Sequence, residues 1–141
     1  MNKKVWVGAL IVFVLINILD YLVHGVLLTS SYQPIIDSGG PFRSAEDSKI
    51  YIFFINRAIQ AFLFALVFSK GYEAKGMAEG IRYGLYMGVF VALTFAYGTY
   101  ALFPLPYSLA MMWFLYEVVQ WILAGILIAQ YWGMKPKQQG T

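Results

Sequence analysis

Eight polar side chains interrupt otherwise apolar stretches, and they are the residues best placed to do chemistry: Asn17, Asp20 and His24; Asn56, Arg57 and Gln60; Glu117 and Gln120. At helical spacing Asn17, Asp20 and His24 share one face, as do Arg57 with Gln60 and Glu117 with Gln120. Ionisable groups inside membrane helices are costly and usually carry a function or pair with one another. Three uses fit this set. Asp20, Arg57 and Glu117 could neutralise one another and fix helix register. They could bind a ligand or carry a proton. They could also dock onto another subunit.

His24 is the only histidine of the chain. A neutral imidazole can ligate a metal or a tetrapyrrole metal, so a haem or chlorophyll-type pigment at His24 is one reading. The blander one is a histidine hydrogen-bonded near a membrane surface, for instance to Asp20 one turn away. No C-x-x-C-H, no H-E-x-x-H and no glycine-rich phosphate loop occurs. No nucleophile–base pair is apparent, and Ser30, Ser31 and Ser108 have no second histidine as a partner. Catalytic residues, a metal site and a cofactor are therefore not expected. Zero cysteines exclude disulfides, iron–sulfur clusters and cysteine-ligated zinc.

The elements that must hold these groups follow from hydropathy. Of 141 residues 60% are hydrophobic and 12% charged, against about 25% charged in a soluble domain. The apolar residues fall in four blocks, each near the ~20 residues that cross a bilayer. They predict transmembrane helices at about 5–28, 50–68, 80–102 and 107–132. A polar outer loop over 29–49 and a polar tail over 133–141 complete one membrane domain spanning 1–141. Lys3 and Lys4 resemble the start of a signal peptide, but the first block is long, contains Asp20 and His24, and lacks a cleavage motif. It reads as a retained helix. Pro104 and Pro106 end the third helix.

Seven basic residues flank one side of these spans (Lys3, Lys4, Lys70, Lys75, Arg82, Lys135 and Lys137) and two the other (Arg43 and Lys49). Positive charge collects on the cytoplasmic side. The fold class expected is thus an all-α, up-down-up-down bundle of four transmembrane helices, N-in and C-in. Net charge is +3 without a basic stripe, which gives no sign of a nucleic-acid partner.

Rise per residue places Asp20 and Arg57 roughly 10–12 Å below the outer edge, with Asn17, Gln60 and Glu117 roughly 15 Å down. Asp20 and Arg57 are expected to pair. Tyr97 and Tyr100 could add hydroxyls to the same layer. The inner half is almost wholly apolar, which argues against a complete channel within one bundle. Gly76, Gly80, Gly84, Gly88, Ala92 and Ala96 recur every four residues, a row that lets another helix come close. That helix could belong to the same chain or to a partner.

The stretches Asp20-Tyr-Leu-Val-His-Gly-Val-Leu-Leu28, Lys70-Gly-Tyr-Glu-Ala-Lys-Gly76, Glu79-Gly-Ile-Arg-Tyr-Gly84 and Gly98-Thr-Tyr-Ala-Leu-Phe-Pro-Leu-Pro-Tyr-Ser108 resemble a family of small four-helix bacterial inner-membrane proteins of unknown function. The resemblance covers nearly the whole chain. It implies a multi-pass protein of the bacterial cytoplasmic membrane and carries no reaction or ligand. The leading expectation is a non-enzymatic accessory or structural subunit, with the lipid bilayer and other membrane proteins or its own copies as partners. The alternative is a small transporter or ligand-binding protein that uses the outer-half polar cluster.

Overall fold

The computed structural model describes residues 2–44 and 46–134. Among them are helices and no strands. Helix α1 runs from Lys3 to Leu27, α3 from Ile50 to Gly71, α4 from Met77 to Leu102 and α5 from Tyr107 to Gly133, and all four are long and apolar enough to cross a membrane. Between the first two lies a short helix, α2, at Thr29–Asp37. The expected loop over 29–49 is therefore helical in its first half. Pro34 lies inside α2, and a proline there is a sequence signal for a loop. The packing of Tyr32 described below holds the segment helical instead.

The other boundaries shift by a few residues. The second long helix continues to Gly71. The third begins at Met77, and Gly76 stands outside it with φ of 66°, a left-handed conformation that suits glycine. Gly76 is thus not a member of the helical small-residue row. Its turn is held by Glu79, whose carboxylate accepts hydrogen bonds from the backbone N–H of Glu73 at 2.6 Å and of Lys75 at 2.8 Å. At the other end of the chain, the Lys4 ammonium donates to the Trp132 carbonyl at 2.7 Å, where the helix C-terminus favours a cation. Lys135 and Lys137 lie outside the described residues, as does most of the 133–141 tail.

Two tight helix pairs build the bundle: α1 with α3 and α4 with α5, joined by α1 against α5. The α4–α5 seam is where the small residues go. A Cβ on Gly80 would meet the Gly125 carbonyl, one on Gly84 the Trp121 carbonyl, and one on Gly125 the Gly80 carbonyl. Ala92 and Ala96 are fully buried farther along. Backbone meets backbone here, so the row is filled by a helix of the same chain.

The core has two parts. One, toward the Lys4–Trp132 end, is apolar and centred on Val12, Ile16, Phe64, Phe68, Trp121 and Ile128. The other surrounds Val23, Leu28, Leu109 and Trp113, with Tyr32 and Phe42 packed against it. Between them lies the polar set. Two π-helical segments, Tyr21–Leu27 in α1 and Leu93–Tyr97 in α4, occur in this second half. Such turns are rare and concentrate at functional sites.

Candidate ligand-binding chamber

Arg57 is the centre of the site. Its Nε donates to Asp20 Oδ2 at 2.7 Å, and Nη2 donates to Asp20 Oδ1 at 2.9 Å and to Glu117 Oε2 at 3.3 Å. Its Nη1 donates to Glu117 Oε1 at 2.9 Å and to Gln60 Oε1 at 2.8 Å. A guanidinium has five N–H groups, and each is taken. Three helices, α1, α3 and α5, are thereby tied at one level. The ions are 4%, 8% and 3% exposed for Asp20, Arg57 and Glu117. Burying charge without such pairing would cost several kcal/mol per ion. The Trp121 indole adds a bond to Glu117 Oε1 at 3.0 Å.

The remaining members of the polar set divide. Gln60 joins the cluster. Asn17 donates to the Phe13 carbonyl of its own helix at 2.7 Å. Asn56 is exposed and lines a cavity. Gln120 is buried close to Asp20, and its amide makes no hydrogen bond of regular geometry among the described residues. Tyr97 and Tyr100 do not join the layer; both pack on Tyr107.

His24 bonds to Tyr32 of α2, not to Asp20: Nδ1 lies 2.6 Å from the Tyr32 hydroxyl oxygen. The same oxygen accepts from Trp113 Nε1 at 2.6 Å. With the indole as donor, the arrangement that satisfies each group has the phenol donating to Nδ1, which leaves the ring proton on Nε2. Burial pushes the Tyr32 phenol up to about 12, so it stays a donor at any physiological pH. This chain of bonds joins α1, α2 and α5 into a wall. Phe42 closes it with rings edge-on to Tyr32 and Trp113. Trp113 and the lining phenylalanines are not among the expected site residues, and Tyr32 is a further one that sequence reading missed. The only signal for it was an aromatic residue eight positions beyond His24.

These walls border a half-open cavity of about 750 Å³. The Asp20–Arg57–Glu117 triad and Gln60 form its floor. The Tyr32–His24–Trp113 chain forms one side, with Phe95 packed on Trp113 at 5.1 Å between ring centroids, and Phe53 and Phe54 of α3 also line the cavity. Positions 50–56 of α3 are all exposed, so this end of α3 stands away from the bundle and leaves the chamber open. Beyond the triad Phe64 packs on Tyr83 and Trp121, with ring centroids 4.6 and 4.8 Å apart. The Tyr83 hydroxyl donates to the Phe64 carbonyl at 2.7 Å. This aromatic layer separates the chamber from the Lys4–Trp132 end.

Among the described residues no group of three or more His, Cys, Asp or Glu is arranged to hold a metal.

All-α architecture with four helices long and apolar enough to span a membrane defines the class. Comparison with protein-family models, with curated proteins and with solved structures finds no match to the chain.

Proposed function

We propose that this protein is an integral membrane protein that binds a small molecule in its chamber. It sits in the cytoplasmic membrane of a bacterium as an up-down-up-down bundle, N-in and C-in, with the chamber in the outer half. It acts without catalysing a reaction. The observation that carries the reading is a cavity of about 750 Å³ floored by a buried ion triad. Ligand sites are typically concave, largely apolar and about 300–1,000 Å³, with a few converging polar groups. The positive-inside asymmetry and the membrane-length helices support the insertion and orientation.

An accessory or structural subunit role drew its support from the small-residue row, from the absence of recognisable catalytic motifs and from short loops. That row is packed against α5 of the same chain and so no longer speaks for a partner. Binding is favoured over conduction because the Phe64–Tyr83–Trp121 layer and the apolar core behind it leave no polar route to the other end.

Thermal unfolding of the purified protein against a panel of small amphipathic molecules tests the reading. Ligands bound to the native state raise its unfolding temperature. Stabilisation by a compound in the wild type, and its loss in Asn56→Trp, which fills an exposed part of the cavity wall, is expected. Equal stabilisation of both proteins would place the compound elsewhere and count against the chamber.

A further inference from the structure

We propose that the chamber selects an amphipathic organic cation. The inference rests on the binding-site reading above and names the chemistry of its ligand.

Two carboxylates face one guanidinium at the floor, so the site holds one more acidic group than it has cations. The cationic partner has nothing left to offer a ligand. All five N–H groups of Arg57 are bound to Asp20, Glu117 and Gln60, so an anion would have to displace one of them. The carboxylates, by contrast, are not saturated. A carboxylate oxygen has two lone pairs, and Asp20 Oδ1, Asp20 Oδ2 and Glu117 Oε2 each accept one hydrogen bond.

The walls point the same way. Phe54, Phe95, Tyr32 and Trp113 give the cavity an aromatic lining, and ring faces attract cations through their quadrupoles, as the Phe53 ring already does for the Arg57 guanidinium 5.2 Å from its centre. Those walls also exclude a small, strongly hydrated inorganic ion as the preferred occupant, because little there replaces its water. Arg43 is the one cation at the rim among the lining residues. It is paired with Asp47 at 2.8 Å, so it presents a neutralised edge. A bulky monocation with an apolar body meets each of these features: charge over the floor, rings against the walls.

Three probes of nearly equal size and different charge test this: tetraphenylphosphonium, tetraphenylborate and neutral triphenylphosphine oxide. Each is equilibrated with purified protein in detergent, and binding to empty micelles is subtracted. Tetraphenylphosphonium is expected to bind at least about tenfold more tightly than either of the others. Glu117→Gln, which removes the surplus acidic group, is expected to weaken it by about tenfold. Phe54→Ala alters an exposed wall residue, leaves the fold intact, and is expected to weaken it by about threefold. Borate or neutral probe binding as tightly as the cation would overturn the cation inference while leaving the chamber reading in place. None of the three binding above empty micelles would overturn the chamber reading itself. The wild-type comparison decides the matter even if Glu117→Gln fails to fold.

Discussion

Arg57 and Asp20 close a two-point ion pair between α3 and α1, with Nε to Oδ2 at 2.7 Å and Nη2 to Oδ1 at 2.9 Å. The planar fork of the guanidinium matches the carboxylate edge to edge. Its remaining N–H groups reach across to α5. One side chain thus sets the spacing of three helices at the level where the chamber begins.

Removing that side chain strands two carboxylates in a buried site. Arg57→Leu is expected to destabilise the protein by about 3–5 kcal/mol, the usual cost of breaking one partner out of a buried pair. Glu117→Gln keeps Asp20 paired and is expected to cost less, on the order of 1–2 kcal/mol. Arg57→Lys should fall between them, because an ammonium has three donors and no fixed fork. Reversible unfolding in mixed micelles ranks the three. An Arg57→Leu variant as stable as the wild type would show that the triad does not hold the helices.

The seam between α4 and α5 predicts a different pattern. A side chain at Gly84 runs into the backbone at Trp121, and one at Gly88 lies 3.1 Å from Trp121 Cβ and Val118 Cα. Gly84→Leu and Gly88→Leu are each expected to cost about 3 kcal/mol or more, since helix backbones in contact have no room to repack. Gly98 lies in α4, and a methyl group on its Cα would meet nothing within 4 Å. Gly98→Ala should therefore be neutral or stabilising by up to about 1 kcal/mol. The same unfolding assay measures all three. Because the contact is within one chain, the oligomeric state by size should not change even where stability falls.

The Tyr32–His24–Trp113 chain makes a spectroscopic prediction. Nitrogen NMR of histidine-labelled protein at neutral pH should show His24 with its proton on Nε2 and a bare, hydrogen-bonded Nδ1. Tyr32→Phe removes the hydroxyl that links His24 to Trp113 and is expected to cost about 1–2 kcal/mol. A ring proton found on Nδ1 instead would mean that the phenol donates elsewhere. Natively purified protein with a visible absorption band lost in His24→Ala would overturn the assignment and support a pigment at His24.

Much of this was legible in the sequence because hydropathy and charge act over whole segments. Four blocks of apolar residues read as four long helices, since nothing shorter hides that many backbone amides from lipid. The meeting of Asp20 with Arg57 was also readable, because rise per residue puts both at one depth. Local rules failed where tertiary contacts decided the outcome. Pro34 and the polar run around it read as loop, yet Tyr32 is bonded to His24 and Trp113 within a helical turn. Glu79 drew no notice in a charged stretch, although its place at the third position of α4 lets it accept two backbone N–H groups. The chamber itself was not readable at all. It arises because positions 50–56 of α3 stand away from the bundle, and no periodicity encodes the distance between two helices.

The proposed orientation can be tested cleanly because the chain contains zero cysteines, so a single introduced thiol reports alone. Ser38 ends α2 on the chamber side and is exposed; Lys75 lies in the turn before α4 and is exposed as well. If the positive-inside asymmetry sets the topology, Ser38→Cys in intact cells should react with a membrane-impermeant maleimide. Lys75→Cys should react only after the membrane is opened. The opposite pattern would place the chamber mouth toward the cytoplasm and reverse the direction from which its ligand arrives. Labelling of both sites in intact cells would mean that the two turns share one face, which four membrane-crossing helices in alternating directions do not allow.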